Sequence, residues 1–180
     1  MPKDGIWMFS VVLALAAGWT DWRSRRIPNW LTVPGLLLGI IANAVAFGWL
    51  GAKASLLGAC LGLAVLLPFV ALRSLGAGDW KLVGALGAWL GPYRLIEVLV
   101  ITVLIAALMA LFVILTTGRV RRTVHNLARM AHSLIAFRMP PAELTLDDPS
   151  SAKIPFGIAV AVAMVLYTGA YAAHAAGWSL

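Results

Sequence analysis

Apolar stretches long enough to cross a bilayer recur along most of this chain, and no other feature constrains its fold as much. Six can be delimited, at about residues 6–20, 31–50, 54–72, 80–90, 95–117 and 154–178. A spanning helix needs about 20 predominantly apolar residues. The helix is required because no water in the hydrocarbon core can satisfy backbone N–H and C=O groups. Six such helices would use about 120 residues, so a chain of 180 has no room for a large soluble domain. Composition agrees: 62% of residues are hydrophobic and 12% charged, with a mean hydropathy of +0.92, whereas soluble domains run at about 45–50% apolar and about 25% charged. An ordinary soluble enzyme, a disordered tail and a disulfide-built secreted scaffold are excluded. The expected fold is an all-α polytopic membrane bundle of about six transmembrane helices, one domain over residues 1–180.

The fourth stretch, 80–90, is short and rich in Gly and Ala, and is the weakest candidate for a full span. Small residues cluster at Gly58-Ala59-Cys60-Leu61-Gly62 and Gly84-Ala85-Leu86-Gly87-Ala88. Small-xxx-small spacing lets helix backbones approach closely in lipid, so these read as packing faces. Cys60 is the only cysteine, which excludes a disulfide within the chain and a cysteine-based zinc site; it reads as a small buried residue. Ala14-Leu15-Ala16 resembles a signal-peptide cleavage site. The preceding segment is barely positive, with Lys3 offset by Asp4, and Arg23, Arg25 and Arg26 follow at once. Such a cluster resists translocation, so residues 6–20 read as the first membrane helix.

The net charge of +7 sets orientation in so apolar a chain and does not imply nucleic acid. When the segments between stretches are numbered alternately, one set holds Arg23, Arg25, Arg26, Arg73, Lys81, Arg119, Arg121, Arg122, Arg129, Arg138 and Lys153, and the other only Lys3, Lys53 and Arg94. Eleven of the 14 Lys and Arg therefore fall on one side, which the positive-inside rule makes cytoplasmic. Both termini are then expected outside. The one long loop, at about 118–153, carries Val120, Val124, Leu127, Ala131 and Leu134 at helical spacing, with Arg121, Arg122, His125, Arg129 and His132 mostly between them. It reads as a basic amphipathic helix that lies on an anionic leaflet or packs on neighbouring loops.

The chain has seven acidic residues. Asp4, Glu143, Asp147 and Asp148 fall in polar termini or loops and read as solvated. Glu97 lies one turn from Arg94 and reads as half of an i,i+3 ion pair. Asp21 and Asp79 remain, each at the edge of an apolar stretch, and the charge bias places both on the cytoplasmic side. Ionisable groups at membrane depth default to a functional reading. Two carboxylates that approach closely cannot both ionise easily, so their proton affinities split into an acid and a base. Hydrolysis of an amide by water needs that combination, with no metal and no cofactor. Gly76-Ala77-Gly78 before Asp79 lets the backbone turn sharply and approach another chain. The readings left open beside a hydrolase are a salt bridge for Asp21, a plain helix cap for Asp79, a small proton-coupled transporter using both as relay groups, and a non-catalytic assembly protein of a pilus or secretion system. The paired broken helices that mark many transporters have no counterpart in an internal repeat here.

At these residues the chain resembles the type IV prepilin peptidases, membrane aspartic peptidases of the GxGD type, and most of all their small branch in tight-adherence (Flp) pilus systems. The resemblance is carried by Asp21-Trp22-Arg23-Ser24-Arg25-Arg26-Ile27-Pro28-Asn29, by Gly76-Ala77-Gly78-Asp79-Trp80-Lys81-Leu82, and by Lys153-Ile154-Pro155-Phe156-Gly157-Ile158-Ala159. It implies an endopeptidase of the bacterial inner membrane that cuts the short leader from prepilins at the cytoplasmic face. Asp21 and Asp79 would be its catalytic aspartates. Gly76, Gly78 and Lys81 would support them, Lys81 by pairing with an aspartate or with lipid phosphate. The substrate would be a membrane-inserted helix, met partly by lateral packing in the lipid bilayer. Larger members carry an N-terminal domain with paired Cys-x-x-Cys motifs and also methylate the new N-terminus; without that domain, methyltransferase activity and zinc are not expected. Pro155 and Gly157 read as structural elements of the site's rim, and the eight tryptophans as interfacial residues.

Overall fold

The computed structural model describes residues 3–118, 125, 129 and 155–175. Among them the chain is all-helical. A short 3-10 helix, Lys3–Met8, leads into α1 (Phe9–Ser24), α2 (Asn29–Ala71), α3 (Ala77–Thr117) and α4 (Phe156–Ala175). Among the described residues, three segments are long and apolar enough to cross a membrane: Asn29–Ala71, Ala77–Thr117 and Phe156–His174. The expected basic helix at 118–153 lies outside the described residues, apart from Gly118 and the helical His125 and Arg129. So do Lys153 and Ile154.

The second and third apolar stretches both fall in α2, and the fourth and fifth both in α3. Close to where the sequence separates them, at 51–53 and 91–94, a single glycine breaks each helix. Gly48 (φ 62°, ψ −144°) interrupts α2 and Gly91 (φ 72°, ψ 176°) interrupts α3, backbone conformations that only glycine adopts without strain. At each the chain doubles back. Gly51 lies against the Asn43 carbonyl, although eight helical residues would separate them by about 12 Å. Gly62 touches both Val83 and Leu95, which an unbroken helix would hold about 18 Å apart.

The stretch that looked weakest as a span is the centre of the bundle. Leu82, Val83, Ala85, Leu86, Ala88 and Leu90 are all buried, so 80–90 is surrounded by protein. Its glycines and alanines exist to admit neighbours. A Cβ on Gly87 would meet the backbone of Gly58, and one on Gly58 the Gly87 carbonyl, so α2 and α3 cross in backbone contact there. Side-chain donors close the same seam. Ser55 Oγ donates to the Ala88 carbonyl at 2.6 Å and Asn43 Nδ2 to the same oxygen at 3.0 Å. Trp80 Nε1 donates to Leu63 O at 2.7 Å and Trp89 Nε1 to Gly35 O at 2.8 Å. Each bond satisfies polar groups that apolar surroundings would otherwise penalise, and two of the tryptophans are thereby structural members of the bundle. Cys60, expected inside, is exposed on α2, because Gly58, Ala59 and Gly62 occupy the packing face.

The first helix pairs with the last. α1 turns Ser10, Leu13, Ala14, Ala17, Gly18 and Asp21 inward, a stripe at helical spacing. α4 meets it through Gly157 and Ala161: a Cβ on Gly18 would lie 2.8 Å from Ala161 Cβ and 3.2 Å from the Gly157 carbonyl. These small residues allow an approach that larger ones would block.

Candidate active site

Asp21 lies in the last turn of α1, on its buried face, and is 6% exposed. The helix ends just beyond it because Arg25 takes a left-handed conformation (φ 52°, ψ 31°) and returns its N–H to Asp21 O at 2.8 Å. That is the common αL helix stop, here on a residue other than the usual glycine. The chain then runs through buried Ile27 and extended Pro28, the N-cap residue, into α2.

Asp79 is the third residue of α3, whose N-cap is Gly76. Its carboxylate folds back to hydrogen-bond the Gly76 backbone, the reach of an N3 acid in a capping box. A Cβ on Gly76 would stand 2.9 Å from Asp79 Oδ2. Gly78 has another task. A Cβ there would lie 2.9 Å from Ile27 O and 3.2 Å from Ile27 Cβ, so glycine lets the start of α3 press against the α1–α2 link. That contact brings the two acidic segments together, and the charge of Asp21 acts on Asp79. The Arg25 charge in turn acts on Asp21.

The third motif closes on the first. The Gly157 N–H donates to Asp21 Oδ2 at 2.9 Å, a buried bond between residues 136 apart in sequence. Gly157, expected as a structural element of the rim, thus also places its backbone N–H on the carboxylate. Lys81 Nζ donates to Asn29 Oδ1 at 2.9 Å, which ties the first turn of α2 to α3. Asn29 and Gly157 both lie inside the segments that carry the family resemblance, and that placement is the sequence signal that marks them.

Glu97 stands apart from this cluster. It accepts a hydrogen bond from Tyr167 of α4 at 2.7 Å, and Tyr167 lies ten residues, about 15 Å, along α4 from Gly157. Arg94 sits 5.9 Å from the Tyr171 ring centroid, a cation–π distance. A cavity of ≈ 320 Å³ lined by Asn43, Ser55, Gly91 and Arg94 opens at this opposite end, away from the aspartates. Among the described residues no group of three His, Cys, Asp or Glu is placed to hold a metal ion. The arrangement therefore offers two carboxylates at one end of a helical bundle, one buried and one half-buried, each held by backbone N–H groups, beside the exposed indoles of Trp22 and Trp30.

Comparison with known proteins gives this end of the bundle a family. Residues 8–114 match the Type IV leader peptidase family, a segment that includes Asp21 and Asp79 and stops before Pro155. Three curated proteins, each named prepilin leader peptidase/N-methyltransferase, are similar to the chain. That of Xanthomonas campestris is 31% identical over 110 residues, covering 57% of this chain and 38% of its own. That of Dickeya chrysanthemi is 36% identical over 121 residues, covering 63% and 40%. That of Neisseria gonorrhoeae is 32% identical over 106 residues, covering 55% and 37%. The chain spans about two fifths of the length of these relatives. No solved structure shows a significant match. With more than half of its residues inside the matched segment, the chain belongs to the type IV leader peptidase family.

Proposed function

We propose that this protein is a membrane aspartic endopeptidase that cuts the leader from prepilins of the Flp type, with Asp21 and Asp79 as its catalytic pair. The observation that carries the reading is the convergence of Asp21, Asp79 and the start of α4 in a chain with so few acidic groups. In the proposed reaction one carboxylate takes a proton from water as the water oxygen bonds to the leader's scissile carbonyl carbon. The other gives its proton to the carbonyl oxygen. The tetrahedral intermediate then collapses: the C–N bond breaks, the leaving nitrogen takes a proton from the first group, and the carbonyl oxygen returns its proton to the second. Both groups end as they began.

The topology belongs to the same proposal. With the chain doubling back at Gly48 and Gly91, six crossings put the ends of α1 and the starts of α2, α3 and α4 on one face, and the basic residues make that face cytoplasmic. Both termini then lie outside, in the bacterial inner membrane. A prepilin, as a single apolar helix with a short cytoplasmic leader, would present its cleavage site at that depth. The relatives' names include N-methyltransferase; methylation is not part of the proposal.

The test is direct. Purified protein in lipid nanodiscs is mixed with an Flp-type prepilin, and products are weighed by mass spectrometry. Two fragments whose masses sum to the precursor plus one water support the reading, and an intact precursor contradicts it.

A further inference from the structure

We propose that the backbone N–H of Gly157 is a positioning group for the reaction, one that fixes the rotation of the Asp21 carboxylate, and that position 157 must be glycine for this reason. The inference rests on the aspartate pair proposed above. The terminal torsion of an Asp side chain is broad and roughly two-fold, so packing alone leaves the carboxylate free to turn. A charge-assisted N–H bond to Oδ2 removes that freedom and sets where the other oxygen points.

The geometry is built for this bond. Phe156 opens α4, so the N–H of Gly157 is among the first four of the helix, which have no intrahelical acceptor. The next two residues do find a local one: the N–H groups of Ile158 and Ala159 donate to Pro155 O at 3.2 and 3.4 Å. Gly157 donates across the bundle to Asp21 instead. A Cβ at 157 would fall 2.8 Å from Asp21 Cβ and 3.2 Å from Ala17 O. Any side chain would therefore push α4 off α1 and lengthen the bond. The helix cannot slide to compensate, because Gly18 against Ala161 and Tyr167 bonded to Glu97 pin it at two further depths.

The experiment replaces one atom. Cell-free synthesis of the full chain into nanodiscs with glycolic acid at position 157 turns the N–H into an ester oxygen and adds no side chain. A matched ester at 158 removes an N–H that serves only Pro155. We expect kcat for prepilin cleavage to fall about tenfold with the ester at 157, with KM within about twofold, and the ester at 158 to keep kcat within about twofold of the unmodified protein. Unchanged kcat at 157, or equal losses at 157 and 158, overturns the positioning role. Asp21→Asn, assayed in parallel, separates the two claims. If it is inactive while the 157 ester is fully active, only the positioning role fails; if it still cleaves, the aspartate pair fails and the positioning role with it.

Discussion

Gly78 and Ile27 meet backbone to backbone: a Cβ on Gly78 would lie 2.9 Å from the Ile27 carbonyl oxygen. Through this contact the segment carrying Asp79 closes on the link that follows Asp21. Gly78→Ala should therefore separate the two acidic segments and lower cleavage at least about tenfold, since near-ångström misplacement of catalytic groups can cost on the order of 100-fold. Ala77, which is exposed, is the control: Ala77→Ser should keep more than half the activity. A full-activity Gly78→Ala protein would show that the contact does not set the site.

Gly58 and Gly169 make opposite forecasts for stability. A Cβ at 58 runs into the Gly87 carbonyl, whereas one at 169 meets nothing. Overpacking of this kind costs about 1–3 kcal/mol or more, while Gly to Ala in an open helix position gains up to about 1 kcal/mol. Thermal unfolding in detergent should show Gly58→Ala several degrees less stable and Gly169→Ala unchanged or raised.

Much of this architecture was legible in the sequence, for definite physical reasons. Charges are so rare in apolar stretches that Asp21 and Asp79 stand out unaided, and hydropathy locates the helices. Other features were hidden. Lipid and protein interior are equally apolar, so hydropathy could not distinguish the buried stretch at 80–90 from a lipid-facing one, nor see that Cys60 points outward. A glycine that breaks a helix, such as Gly48, reads the same as one that packs, such as Gly58. Pairings across helices, as between Lys81 and Asn29 or Tyr167 and Glu97, depend on rotation and depth that one chain's periodicity does not reveal. Gly157 was invisible as a donor because its contribution is backbone.

The Tyr167–Glu97 bond is far from the aspartates and should be structural. Tyr167→Phe and Glu97→Gln should each cost about 0.5–1 kcal/mol, and the double variant less than their sum, because the partners share one interaction. Prepilin cleavage by Glu97→Gln should remain above half. A loss comparable to that of Asp79→Asn would place Glu97 in the machinery.

Topology can be read by labelling. Because Cys60 is exposed, it must first become Ser. Lys53 and Ser24 are both exposed, so each accepts a cysteine without disturbing the core. A membrane-impermeant maleimide added outside intact cells should label Lys53→Cys and miss Ser24→Cys. The reverse pattern would place the aspartates outside and remove the cytoplasmic site.

The central claim is that Asp21 and Asp79 act as one pair, and cleavage of a prepilin by the purified asparagine variants tests it most directly. Asparagine keeps the shape of each side chain and removes its ability to take or give the proton. Asp21→Asn and Asp79→Asn should each lower kcat by at least about 10²–10⁴-fold, and the double variant little further, since neither group works alone. A single variant that kept more than a tenth of the unmodified rate, with the protein folded and inserted, would contradict the pair.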